Sequence, residues 1–183
     1  MMLEHSEDGN DVAVVFSAEA IAVRLEELAA EITARGLERP LIVAVLKGSF
    51  VFAADLIRAL HKAGMRPEVD FLTLSSYRKS RTSLGAVEIL RDLDLSVEGR
   101  NVLLIDDVLD SGRTLVFAKD LIAARGAANI LTCVLLEKMV ARAVNVQADF
   151  RAFECGDEFV VGYGMDVAHR YRELPFVGRC VKE

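Results

Sequence analysis

The sequence predicts an α/β protein, a parallel sheet flanked by helices with a small lobe set over it. Three observations carry that expectation. Short, uninterrupted apolar runs such as Leu41-Ile42-Val43-Ala44-Val45-Leu46 and Val102-Leu103-Leu104-Ile105 have the character of strands buried on both faces. Segments with apolar residues at helical spacing alternate with them, which is the pattern of a doubly covered sheet. A chain of 183 residues suits one compact core and leaves little room for a second.

The elements follow in order. After a polar start over residues 1–10, Ser17 is a helix N-cap ahead of Ala18-Glu19; Ile21, Leu25, Leu28 and Ile32 repeat at helical spacing, and Gly36 stops the helix. Pro40 leads into the first apolar strand, Lys47-Gly48-Ser49 forms a turn, and Phe52, Leu56 and Leu60 mark a second helix ending at Gly64. Val69 to about Ser75 reads as a strand. The polar, basic stretch Arg78-Lys79-Ser80-Arg81-Thr82-Ser83 has no periodicity and is a loop, after which Val87 and Ile89 restart alternation. Two strands around a long loop predict an antiparallel excursion at a sheet edge. Val102–Ile105 is the second buried strand, and a loop from Asp106 to Arg113 leads into a helix through Leu115, Ala118, Leu121 and Ile122 that stops near Gly126. Ile130–Leu136 is the third buried strand. Residues 150–153, 159–163 and 176–181 are short strands of the smaller lobe. The expected division is a single domain over 1–183, with a core of about 40–140 and a lobe built from the chain start and about 150–183.

Composition limits the partners. Lys and Arg number 22 against 28 Asp and Glu, a formal net charge of −6. Such a chain is repelled on average by nucleic acid and by anionic membranes, so neither is an expected partner, and a polyanionic ligand must be held by a local cluster of donors. Cys133, Cys155 and Cys180 are far apart without CxxC spacing, which fits small core residues in a reducing compartment. No Lys or Arg precedes Arg24, and the start lacks the apolar stretch of a signal peptide, so the expected location is cytoplasmic.

The chemistry concentrates in Leu103-Leu104-Ile105-Asp106-Asp107-Val108-Leu109-Asp110-Ser111-Gly112-Arg113-Thr114-Leu115. A buried strand delivers adjacent carboxylates to its C-terminal end, where ligands sit in open α/β sheets. Two carboxylates there can accept hydrogen bonds from vicinal hydroxyls or hold a hard cation. The following residues precede a helix, so their backbone N–H groups, with the Ser111 and Thr114 hydroxyls, can wrap a phosphate, and Gly112 permits close backbone approach. Diol and monophosphate recognition thus lie side by side. The competing reading is a strand-end turn with Asp110 or Ser111 as an ordinary N-cap. A response-regulator receiver is excluded because its acid pair follows the first strand. No GxGxxG follows the first strand and no GxxxxGK[ST] occurs, which removes dinucleotide and P-loop binding.

These residues resemble the phosphoribosyl-diphosphate signature of type I phosphoribosyltransferases. Leu46-Lys47-Gly48, Ser76-Tyr77, Leu135-Leu136-Glu137-Lys138, Phe159-Val160-Val161-Gly162-Tyr163-Gly164-Met165-Asp166 and Tyr171-Arg172-Glu173-Leu174 follow the order found in the hypoxanthine-guanine phosphoribosyltransferase family. The likeness spans about residues 40–181 and implies the type I phosphoribosyltransferase fold with a small hood lobe. It implies transfer of a 5-phosphoribosyl group from phosphoribosyl diphosphate to N9 of hypoxanthine or guanine, with Mg2+ as cofactor and a homodimer or homotetramer as the assembly. By that resemblance Asp106 and Asp107 bind the ribose hydroxyls with magnesium nearby; the family frequently has Glu where Asp106 stands. Asp110 is the general base or proton partner near N7, and Ser111, Gly112, Arg113 and Thr114 complete the ribose-phosphate site. Lys47 and Gly48, Ser76, Tyr77 and Arg172 bind pyrophosphate, and the Leu46–Lys47 peptide is often cis. Lys138 donates to O6 of the purine, Phe159 stacks on it, and the Val160 backbone reads its edge. Asp166 lies beside the base and holds a second magnesium. Ser76-Tyr77 with Arg78, Lys79 and Arg81 forms a closing lid. A xanthine-preferring transferase and a non-catalytic nucleotide-sensing regulator on the same fold remain open alternatives.

Overall fold

The computed structural model describes residues 3–4, 12–76, 87–142 and 144–181. A two-residue strand β1 (Leu3–Glu4) is followed by β2 (Val12–Phe16) and by helix α1 (Ala18–Thr33). Ser17 caps α1 as its sequence position predicts, its side chain accepting from the Ala20 N–H at 3.2 Å. Strand β3 (Leu41–Leu46), helix α2 (Phe50–Lys62), strand β4 (Glu68–Ser76) and strand β5 (Val87–Arg91) come next. Strand β6 (Asn101–Leu109), helix α3 (Arg113–Ala124), strand β7 (Asn129–Lys138) and strand β8 (Phe150–Cys155) complete the main layer. Two short strands, β9 (Val160–Val161) and β10 (Val177–Cys180), end the order.

The main sheet has the order β5-β4-β3-β6-β7-β8, parallel throughout except for β5. The antiparallel excursion at one edge is therefore present as β4–β5. Alternate residues of the central strands enter opposite cores. Ile42, Ala44, Leu103 and Ile105 pack with α1 and α2, whereas Leu41, Val43, Val102 and Leu104 pack with α3. The side-chain period of two in a strand produces this partition, and it is why the runs must be apolar at every position.

The second sheet, β1-β2-β10-β9, is antiparallel. It joins a strand from early in the chain to one from late in it. Val12, Val161, Tyr171 and Phe176 form its own small core. The run Val12-Ala13-Val14-Val15-Phe16 is a strand that the expected elements omit, although its apolar character is visible.

Two expectations need correction. Residues 150–155 belong to the main sheet and not to the small lobe: β8 pairs in parallel with β7, Cys133 opposite Phe150 and Lys138 opposite Cys155. Arg24 of α1 covers this edge, donating from Nε to the Ala152 carbonyl and from Nη2 to the Arg151 carbonyl, both at 2.9 Å. Likewise, Asp106–Leu109 is not a loop. The strand continues because Val108 and Leu109 pair with Leu136 and Glu137 of β7, and Leu109 is buried beneath α3. Only residues 110–112 remain between strand and helix.

All three cysteines are free thiols, with Cys133 and Cys155 buried. Among the described residues, no helix is long and apolar enough to cross a membrane.

Candidate active site

β3 lies between β4 and β6, so the connections from the two sides of β3 leave the sheet in opposite directions. A crevice forms at the carboxyl ends of strands where the order reverses in this way. The Lys47-Gly48 turn follows β3 there, and Asp106 to Thr114 runs from the last residues of β6 through residues 110–112 into the first turn of α3. A cavity of about 1050 Å³ occupies the position. Of the residues singled out in the sequence, it is lined by Lys47, Gly48, Asp106, Asp107, Asp110, Ser111, Gly112, Arg113, Thr114, Lys138, Phe159, Val160 and Asp166.

The two acids of β6 differ, as neighbours on an extended strand should. Asp106 is 5% exposed, and its Oδ1 accepts the Asp107 N–H at 3.0 Å. Burial, then the charge of Asp107, holds its carboxyl well above the usual carboxylate range. Asp107 is half-buried and its Oδ1 accepts the Val108 N–H at 2.9 Å. Its Oδ2 occupies the space beside Gly48: a β-carbon at position 48 would lie 2.6 Å from the Asp107 Cγ and collide with Oδ2. The Leu46–Lys47 peptide is cis, as the resemblance implies. Ser49 anchors the far side of the turn by donating to the Val45 carbonyl at 2.5 Å.

Gly112 is the N-cap of α3 in the left-handed conformation, φ 80°. The Gly112 carbonyl accepts from Val116, which leaves the N–H groups of the first turn without intrahelical partners. Such an end attracts anions.

Lys138, the last residue of β7, is largely buried, with Nζ 3.7 Å from Asp110 Oδ2 and 3.8 Å from Asp157 Oδ1. Asp157 lines the cavity too and is a residue the sequence reading missed. Its signal was present as a carboxylate two positions before Phe159. Phe159 is 53% exposed at the cavity wall, next to Val160 at the start of β9. An exposed phenylalanine facing a cavity offers a flat apolar surface for a ring.

The turn from Gly162 to Asp166 roofs the site. Tyr163 is buried, and its hydroxyl donates to Asp55 Oδ2 of α2 at 2.6 Å. Burial, and then the hydrogen bond to Asp55, raises the phenol far above its ordinary value, so it remains a donor. Asp166 Oδ1 meets Arg172 Nη2 at 2.7 Å, and its Oδ2 accepts the His169 N–H at 2.8 Å. Arg172 also donates to the Gly164 carbonyl at 2.6 Å. It is not among the cavity-lining residues and reaches the site through Asp166. Tyr77, Arg78, Lys79 and Arg81 lie outside the described residues, and Ser76 is placed only as the last backbone position of β4.

Among the described residues, no group of three or more His, Cys, Asp or Glu is arranged to hold a metal alone. Neither Asp106 nor Asp107 has a Lys or Arg at ion-pair distance among those residues. Two unpaired hard-oxygen donors at a cavity fit a magnesium ion whose remaining ligands come from substrate phosphate and water, the usual way this ion is bound. Asp166 fits less directly, since both its oxygens already have partners.

The family model for the phosphoribosyl transferase domain matches residues 12–168. The hypoxanthine-guanine phosphoribosyltransferase of Bacillus subtilis is 45% identical over 166 residues, 90% of this chain and 91% of that protein. The hypoxanthine phosphoribosyltransferase of Escherichia coli is 40% identical over 173 residues, 93% of this chain and 96% of that protein. Among solved structures, a hypoxanthine-guanine phosphoribosyltransferase from Bacillus anthracis superposes with a TM-score of 0.85 at 40% identity, covering 92% of this chain and 98% of that one. The chain belongs to the phosphoribosyltransferase family, and within it to the hypoxanthine-guanine phosphoribosyltransferases.

Proposed function

We propose that the protein transfers the 5-phosphoribosyl group of phosphoribosyl diphosphate to N9 of hypoxanthine or guanine, releasing pyrophosphate and forming IMP or GMP in purine salvage. The supporting observation is that an acid pair, a helix-opening loop, a lysine and an exposed phenylalanine share one cavity. The matched relatives carry the corresponding names over nearly the whole chain.

In this reading, residues 110–114 hold the 5-phosphate on backbone N–H groups and hydroxyls, and Asp106 and Asp107 accept from the ribose hydroxyls. Lys138 donates to O6 of the base. Adenine carries an amino donor at that position and would set donor against donor at the ammonium, so a 6-oxopurine is selected. Phe159 stacks on the ring, the Val160 backbone reads its edge, and Asp110 accepts or relays the purine proton. Lys47, Gly48 and Arg172 oppose the charge that develops on the departing pyrophosphate, with Ser76, Tyr77 and the basic loop behind them closing over it. Magnesium held by Asp106 and Asp107, with Asp166 at a second position, would supply further neutralisation of that charge. The chain works as one domain in which the small sheet is the hood, in the cytoplasm, as a homodimer or homotetramer.

The test is ultraviolet absorbance during mixing of protein, hypoxanthine, phosphoribosyl diphosphate and magnesium. Conversion to IMP is expected, and it is expected to stop on adding a chelator. Absence of turnover with hypoxanthine and guanine, alongside turnover with xanthine or adenine, would replace the substrate assignment.

A further inference from the structure

Beyond Lys138 the chain leaves the sheet through residues 139–142 and 144–148 before entering β8, and two observations tie this connection to the loop that opens α3. The first is Arg142. Its side chain is 14% exposed and donates three hydrogen bonds: Nη1 to the Val146 carbonyl at 2.6 Å, and Nη2 to Glu137 Oε1 at 2.7 Å and to the Lys138 carbonyl at 3.0 Å. Glu137, one residue before Lys138 on β7, is itself 4% exposed. The second observation is the contact at Gly112. A β-carbon there would lie 2.5 Å from Val146 Cγ1 and 2.8 Å from Val144 Cγ2. Val146 is therefore gripped through its carbonyl by Arg142 while its side chain presses on Gly112.

We infer that Arg142 is a positioning residue for the 5-phosphate. The buried Glu137–Arg142 pair fixes Val146, and the wall made by Val144 and Val146 fixes Gly112 in the left-handed turn from which the free N–H groups of α3 begin. This rests on the reading of residues 110–114 as the phosphate loop.

Packing alone is a poor account of the pair. A buried ion pair adds little stability over apolar side chains of similar volume, so closing this connection does not require one. Arg142 Nε is moreover buried with no hydrogen-bond partner. What three directional bonds supply is a fixed place for Val146, which apolar side chains specify less sharply.

Isothermal titration of the full chain with IMP and, separately, with magnesium pyrophosphate tests the inference. Arg142→Met is expected to weaken IMP by roughly 10–100-fold, the scale of a displaced binding group, and to leave pyrophosphate affinity unchanged. Arg142→Lys keeps the charge but cannot reach Glu137, the Lys138 carbonyl and the Val146 carbonyl together, so IMP binding stays weakened. Complete recovery in that variant would overturn the inference, as would equal weakening of both ligands or of neither. Should Arg142→Met fail to fold, Val146→Ala leaves the ion pair and removes the nearer of the two valine contacts at Gly112; the same selective loss of IMP is expected, and its absence overturns the inference. Thr114→Val reports on the underlying reading: if it leaves IMP affinity intact, the phosphate loop is misassigned, whatever Arg142 does.

Discussion

The carboxylate of Asp107 fills the volume that a side chain on Gly48 would need, so the turn after β3 and the acid pair on β6 interlock without a spacer atom. A methyl group at position 48 must expel the Asp107 carboxylate or displace the turn. Gly48→Ala is expected to lower kcat/KM for phosphoribosyl diphosphate by about 10²-fold, the cost of misplacing a binding group by about an ångström. Steady-state kinetics at saturating hypoxanthine checks this, and wild-type values would show that the turn yields freely.

Asp110 is half exposed and shares Lys138 with Asp157, and in the proposed reaction it is the group that receives the purine proton. Asp110→Asn keeps the shape and removes the basicity. Ligand affinity is expected to persist while turnover falls by a factor on the order of 10²–10⁴. Single-turnover measurements separate the two quantities, and unchanged turnover would remove Asp110 from the chemistry.

Lys138 is a donor with no capacity to accept. Lys138→Gln offers both functions, so the preference for hypoxanthine over adenine is expected to shrink by roughly 10–100-fold, the equivalent of a charge-assisted hydrogen bond. Competition between the two bases in one reaction measures the ratio directly.

Tyr163 fastens the roof to α2 through Asp55. Tyr163→Phe leaves Asp55 Oδ2 without the phenol donor, while Oδ1 keeps Arg58, and is expected to cost about 1 kcal/mol of stability. Urea unfolding at neutral pH reads the loss, and an unchanged midpoint would mean that solvent replaces the phenol at no cost.

Burial raises the Asp106 carboxyl, and the charge of Asp107 adds to the effect. A carboxyl raised on folding favours the folded state while it is protonated. That contribution is complete below the unfolded value of about 3.9 and is lost as pH climbs through the raised folded value. Asp106→Asn is neutral at every pH. In metal-free buffer it is expected to flatten the decline of Tm on the alkaline side, giving a higher Tm than the wild type by a few degrees, about 2–4 °C for each kcal/mol recovered in a chain of this size. Identical pH slopes in the two proteins would contradict this.

Much of the fold was legible because the buried strands announce themselves. Leu41–Leu46 has the same bounds in sequence and structure, and Ser17 caps the helix it precedes. The errors have a common origin. Local pattern does not specify a partner strand, so Phe150–Cys155 could not be assigned to the main sheet before its pairing with β7 was known. Two aspartates looked like the end of a strand, yet pairing with β7 carries the ladder past them to Leu109. At the site, Lys47, Asp106, Asp107, Asp110, Lys138, Phe159 and Asp166 converge on one cavity, whereas Asp157 and Asp55 matter through contacts with Lys138 and Tyr163 that lie well apart in the chain, and Arg142 through a bond to Glu137 that no apolar spacing marks. Separations of up to 108 residues, as between Tyr163 and Asp55, leave no trace in local spacing.

The pairing of β2 with β10 has a consequence for synthesis. Val12–Phe16 leaves the ribosome more than 160 residues ahead of its partner Val177–Cys180. The parallel layer bearing Asp106 and Asp107 can assemble while translation continues, since domains consolidate from the emerged portion first. The covering sheet cannot close until β10 has emerged, so a nascent chain carries the acid pair and the helix-opening loop before it has the strand on which its roof is hung.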